Sequence, residues 1–212
     1  MRSLLLVPPG DAQALARALA SDAEALVVDA GAAVTGGPAM FARVRPLDDA
    51  EALTDIEAAA GMGARGLALP QATGGSDVQR LGARLAVQEA RLGLPDGALQ
   101  ILVFASESPR ALFGLSSYRD ASRRLAGLVF TASPLAAKLG ARGRNRSPLR
   151  LARDLTLYAA RSAGVLALDA PYPDIDDLDG LREEAKGARD DGFDGKAALD
   201  PAQVAVINAI FR

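Results

Sequence analysis

With 212 residues, of which 50% are hydrophobic and 24% charged, the chain has material for one globular domain with a sizeable core. A formal net charge of −2 gives no basic field to draw it to nucleic acid or a membrane surface. The absence of Cys and His excludes disulfide frameworks, thiolate or imidazole metal sites and Ser-His-Asp catalysis. Any chemistry must come from carboxylates, Lys, Arg, Tyr, backbone dipoles or a hard cation held by oxygen. Aromatic residues make up only 4% and Trp is absent, so Ala, Leu and Val must fill the interior.

Along the chain, the apolar run at 4–7 is too short for a signal peptide and stops at Pro8-Pro9. No stretch approaches the ~18 apolar residues of a membrane span. A cytoplasmic setting is therefore the expectation, and the Asn145-Arg146-Ser147 sequon reads as accidental, followed as it is by Pro148. Short apolar runs at 3–7, 25–28, 42–44, 67–69, 101–104, 125–130, 165–168 and 197–199 have the length and continuity of buried parallel strands.

Helical patterns separate many of these runs. Asp11 is placed to cap a segment whose Leu15, Ala18 and Leu19 share one face. The stretch between Gly31 and Pro38 reads as a loop with at most a short helix. Ser108-Pro109, Ser133-Pro134, Ser147-Pro148 and Asp200-Pro201 each set a capping residue before a proline suited to a first helical turn. Asp200 and Gln203 also have capping-box spacing. Leu151, Leu155, Tyr158, Ala159 and Ser162 recur at helical spacing before Gly164 ends their segment. Ile175, Leu178, Leu181, Ala185 and Ala188 make a further stripe among charged residues.

Strand-then-helix units repeated in this way predict an α/β chain closed as a (β/α)8 TIM barrel, a single domain over 1–212. Function then belongs at the C-terminal strand ends, near Asp29, Arg43, Gln71, Glu107, Ser133, Asp169 and Asp200. The Gly61-Met62-Gly63-Ala64-Arg65-Gly66 segment matches a dinucleotide pattern but precedes its strand, which favours a helix-to-strand turn.

Several segments resemble, in order, those of the citrate lyase β-subunit-like or HpcH/HpaI aldolase family. Arg2-Ser3-Leu4-Leu5-Leu6-Val7-Pro8 is similar to RSLLFVP, and DAEALVVDAGAAV at 22–34 to ADALVLDLEDAV. Residues 42–47 resemble VRVNPL, Leu69-Pro70-Gln71 resembles LPK, and 106–112 resemble IETPRAL. FTASPLAAKLG at 130–140 is similar to FGAEDLAADLG, and GFDGKAALDPAQ at 192–203 to GFxGKxxIHPxQ. The resemblance implies a (β/α)8 barrel, a homo-oligomer such as a trimer, and Mg2+-assisted cleavage or formation of C–C bonds in small oxo-acids or acyl-CoA esters. Some relatives hydrolyse the thioester.

The departures bear on the site. The two metal-binding carboxylates of the family match Glu107 and Pro134, and the acidic pair of LED matches Gly31 and Ala32. The LPK lysine is Gln71, the VRVN asparagine is Arg45, and the IHP histidine is Asp200. Arg43 matches the arginine that contacts substrate carboxylate, and Asp169 an acid of the seventh strand. The chain also lacks the C-terminal extension of typical members.

Each candidate has a structural alternative. Glu107 is either a lone metal ligand, leaving Mg2+ weak or absent, or an acid stabilised beside the helix starting at Ser108. Arg43 either orients substrate or pairs with Asp29 or Glu107. Gln71 and Asp169 stand as substrate contacts, Asp169 also as a cap. Asp200 is an N-cap or a replacement acid. The basic loop Arg142-Gly143-Arg144-Asn145-Arg146, with Arg150, either meets an anion or is a solvated face. Two functions follow: a Mg2+-assisted C–C lyase in which Glu107 and Arg43 are catalytic, or a non-catalytic relative that keeps the barrel for ligand binding or assembly.

Overall fold

The computed structural model describes residues 1–32, 37–143 and 146–212. Eight parallel strands close into a barrel in chain order. They are β1 (Ser3–Leu6), β2 (Ala25–Asp29), β3 (Ala39–Arg43), β4 (Gly66–Leu69), β5 (Gln100–Phe104), β6 (Leu125–Val129), β7 (Leu166–Asp169) and β8 (Gly195–Ala198). Closure comes from β1 on β8, in the register Ser3 to Lys196, Leu4 to Ala197 and Leu5 to Ala198. The helices are α1 (Ala12–Leu19), α2 (Ala52–Gly61), α3 (Gly75–Leu92), α4 (Pro109–Gly114), α5 (Ala132–Leu139), α6 (Ser147–Ala163), α7 (Leu178–Asp191) and α8 (Pro201–Ile210). No helix among the described residues is long and apolar enough to cross a membrane.

The pleat divides the core into two layers. Leu4, Ala25, Val27, Phe41, Ala68, Leu102, Phe104, Val129 and Leu168 fill the barrel interior. Their strand neighbours, such as Leu5, Leu26, Val28, Ala42, Ile101 and Ala167, join the helices in a second cluster. This period of two makes every strand apolar on both faces, which is why the runs lacked alternation.

Local signals succeeded where the chemistry was specific. Asp11 accepts from Ala14 N–H at 2.8 Å and Ser108 from Ala111 N–H at 3.2 Å, each as an N-cap. Asp200 caps α8, accepting from Ala202 N–H at 2.9 Å. Its capping box is shifted by one residue, since Gln203 Oε1 accepts from Leu199 N–H at 2.8 Å.

Other signals were displaced. Helix α5 begins before Ser133, with Thr131 as its cap residue, and α6 has Arg146 as its cap residue with Ser147 already helical. The α6 stripe also faces the other way. Leu149, Ala152, Thr156, Ala159 and Ala160 are buried, whereas Leu151 and Tyr158 are exposed. Both faces carry apolar residues at helical spacing, so periodicity alone did not choose between them. Strand β3 begins at Ala39, ahead of the expected run, and Ile175 lies outside α7. Residues 33–36 of the loop after β2 lie outside the described residues, as do Arg144 and Asn145 of the basic loop and sequon.

The glycine pattern at 61–66 is a helix-to-strand turn, as its position required. Gly63 has φ +73°, and Gly66 meets Gln100 so closely that an added Cβ would lie 2.1 Å from its carbonyl oxygen. Gly61, by contrast, has nothing within 4 Å of that position. Gly66→Ala should therefore cost at least ~1–3 kcal/mol of unfolding free energy in urea denaturation. Gly61→Ala should be neutral or gain up to ~1 kcal/mol, since it removes a helical glycine without a clash.

Candidate functional site: the barrel mouth

The strand pleat decides which polar residues reach the mouth. Asp29 and Arg43 share the inward parity of Val27 and Phe41, so both side chains turn over the barrel end. Strands β2 and β3 pair Asp29 with Arg43 directly. Arg43 Nη1 donates to Asp29 Oδ1 at 3.3 Å, and Nη2 donates to the Val7 carbonyl at 3.0 Å. The other Asp29 oxygen accepts from Gly10 N–H at 2.8 Å. Burial lowers the Arg43 pKa, and the charges of Asp29 and Glu107 act against that fall. A guanidinium remains a cation under such conditions.

Glu107 comes to the same place from the turn before α4. Its Oε2 accepts the Gln71 backbone N–H at 2.6 Å. Gln71 presents that N–H from a left-handed backbone, with φ +53°. Gln71 lies just past the end of β4, and its backbone rather than its side chain makes this contact. Burial raises the Glu107 pKa, opposed by the Gln71 hydrogen bond and the charges of Lys138 and Arg43. Lys138 stands where the resemblance has an acid, and sequence reasoning passed over it.

Arg43 and Glu107 line a cavity of about 620 Å³ with largely apolar walls, including Leu6, Phe104, Phe130, Pro134 and Leu149. Pro134 lines it from the first turn of α5 and offers no side-chain donor. Glu107 is therefore a single carboxylate beside two cationic side chains. Among the described residues, no group of three or more Asp or Glu converges to hold a metal ion. The hydroxyls of Ser106 and Thr131, just past the ends of β5 and β6, are buried without hydrogen-bond partners among the described residues.

Asp169 is held apart from this cluster. It has the outward parity of Ala167, is 2% exposed, and faces the helices rather than the barrel axis. Arg153 Nε donates to one oxygen at 2.7 Å and Lys196 Nζ to the other at 2.9 Å. Lys196, itself fully buried, also donates to Glu184 Oε1 at 2.8 Å. Arg153 continues to Asp191 Oδ2 at 2.7 Å and lies 4.5 Å above the Phe193 ring. Burial alone would raise the Asp169 pKa, but the Lys196 and Arg153 charges and hydrogen bonds outweigh it and lower the value. The signal for this network was a lysine inside an apolar strand run, in the segment Gly195-Lys196-Ala197-Ala198.

Two further departures have structural roles. Arg45 grips Asp55 of α2 with Nε to Oδ2 at 2.9 Å and Nη2 to Oδ1 at 2.8 Å. Asp200 is occupied as the α8 cap, with Arg17 3.7 Å away.

The closed eight-stranded parallel barrel belongs to an architecture whose characterised active sites lie at the C-terminal strand ends, where Arg43 and Glu107 stand. Residues 5–201 match the model of the HpcH/HpaI aldolase/citrate lyase family, and the chain belongs to that family. A (3S)-malyl-CoA thioesterase of Cereibacter sphaeroides (strain ATCC 17025 / ATH 2.4.3) is 31% identical over 99% of this chain and 76% of its own length. The citrate lyase subunit beta of Escherichia coli (strain K12) is 32% identical, covering 80% of this chain and 56% of its own. The crystal structure of protein CitE from Mycobacterium tuberculosis in complex with magnesium, acetoacetate and coenzyme A superposes with a TM-score of 0.78. That match is 26% identical and covers 100% of this chain and 80% of that one.

The buried pair gives a stability test. Lys196→Met leaves Asp169 a buried charge with half its partners, so unfolding free energy should fall by about 3–5 kcal/mol in urea denaturation. Adding Asp169→Leu should return part of that loss. Because the folded-state pKa of Asp169 lies below its ordinary 3.8, its contribution is present above that value. It is lost as pH falls through the lowered value, so the difference between wild type and Asp169→Asn should shrink in acid.

Proposed function

We propose that this chain is a carboxylate-binding member of the family that does not carry out Mg2+-assisted lyase chemistry. The observation that carries the reading is the charge around Glu107: one carboxylate, already accepting from Gln71 N–H, beside Arg43 and Lys138. Mg2+ demands near-octahedral oxygen coordination and usually keeps one or two protein carboxylates plus waters. Here a dication would sit against two cations, with Glu107 as the acid not paired to an arginine and Asp29 already engaged by Arg43 and Gly10 N–H, and Pro134 supplies no donor. This donor set does not fit the ion.

Arg43 is the group that suits a ligand. A ligand carboxylate would replace or join Asp29 on its guanidinium, in a bidentate geometry that Lys cannot reproduce. The apolar walls of Leu6, Phe104 and Phe130 lower the local dielectric and strengthen that pairing. The Gln71 backbone holds Glu107 in place, and Asp169 orders the β7 flank of the cavity without a free oxygen facing Arg43.

A second reading has one observation in its favour, the retention of Glu107 at the mouth within reach of Arg43's charge. In it, the protein is a Mg2+-assisted C–C lyase on an acyl-CoA or small oxo-acid, with Glu107 as metal ligand and Arg43 orienting substrate. Thermal melting separates the two. Saturating acetoacetate in EDTA should raise the melting temperature by several degrees, equivalent to ~2.7 kcal/mol at a hundredfold excess over Kd. Arg43→Gln should abolish the shift, and Mg2+ should not enlarge it. Acyl-CoA turnover that requires Mg2+ and disappears in Glu107→Gln would overturn the proposal.

A further inference from the structure

The cavity wall takes in more than the Arg43 cluster: Leu6, Phe104, Phe130 and Leu149 line it, and so does Arg150 on the first turns of α6. Among the described residues, the ionic groups of this wall are matched, with one exception. Asp169 is held by Arg153 and Lys196, Glu184 by Lys196, and Asp191 by Arg153. Glu107 accepts from Gln71 and faces Arg43, which is also paired with Asp29. The Arg150 side chain lines the cavity without a hydrogen-bond or ion-pair partner among the described residues. Arg153, one turn further along α6, is fixed by two acids and by Phe193, so it does not compete for a ligand.

We infer that this cavity takes an elongated dianion, with one carboxylate on Arg43, an apolar middle along the wall, and a second anionic group on Arg150, without a divalent cation. The inference rests on the carboxylate reading above and adds the ligand's other end. The apolar side chains of Leu6, Phe104, Phe130 and Leu149 in the wall favour a hydrocarbon middle, whose burial there removes apolar surface from water. A guanidinium at each end makes two charge-assisted contacts, and linking them in one molecule makes the second contact intramolecular.

Calorimetric titration in EDTA with hexanoate, adipate, pimelate and suberate tests this. Hexanoate should bind, and one dicarboxylate should bind about tenfold tighter or more, at the chain length matching the Arg43–Arg150 span. Arg150→Gln should reduce that gain to less than about threefold while hexanoate affinity stays put. Arg146→Gln, which removes a nearby charge outside the cavity wall, should leave the gain intact. Dicarboxylates no tighter than hexanoate, a gain surviving in Arg150→Gln, a gain lost equally in Arg146→Gln, or a gain that needs Mg2+ each overturns the inference while the Arg43 reading stands. Binding of neither class overturns both.

Discussion

Side-chain parity around the closed barrel is the constraint on which both halves of this molecule depend. In a parallel strand, alternate residues face the axis or the helices, and the pairing registers carry that choice around the closed barrel, with one shift between β5 and β6. Asp29 and Arg43 share the parity of the interior residues Val27 and Phe41, so they emerge over the axis. Asp169 shares the parity of Ala167, and Lys196 that of Ala198, so this pair is directed into the layer beneath α6 and α7. Two acids at C-terminal strand ends, those of β2 and β7, thus belong to different environments. One is half-open to the mouth, and the other is sealed with two cations.

That division explains how the cavity flank tolerates so many charges. Lys196 and Asp169 are both removed from water, and their attraction repays desolvation only because Arg153 and Glu184 complete their hydrogen bonding. The network ties β7 and β8 to α6 and α7 at the place where the cavity opens. A wall built this way holds its shape without a bound ion, whereas the mouth beside it keeps cationic side chains with capacity to spare. The same barrel end therefore combines a charge-balanced flank with a mouth edged by Arg43 and Glu107.

The fold was legible in the sequence because parallel strands buried on both faces write themselves as short continuous apolar runs, and such runs recur here with helices between them. Specific cap chemistry was legible too, as Asp11, Ser108 and Asp200 show. Orientation was harder. The α6 stripe through Leu151 and Tyr158 has proper helical spacing, but a longer-range fact, the packing of Leu149 and Ala152 against the barrel, selects the opposite face. Arg43 and Glu107 could be placed at the mouth from strand ends alone. Lys138 and Lys196 could not be weighed, because a single lysine carries no local sign of whether its partner lies across the barrel. Gln71 contributes through a left-handed backbone, which side-chain identity does not announce.

Membership of a lyase family settles the scaffold more firmly than the chemistry, because the barrel core and the mouth answer to different demands. The interior asks only for apolar volume on alternate residues, which Ala, Leu and Val supply. Residues in the βα turns are held by that core without contributing to it, so they change with little effect on folding. Pro134 illustrates the separation. In the first turn of α5 its missing N–H needs no intrahelical partner, so the helix forms as well as with an acid there. Coordination chemistry is altered completely by the same residue. Lys138, one turn further on, adds a positive charge that acts on Glu107. Two residues of α5 that the barrel core scarcely registers thus set the donors and the charge beside Glu107.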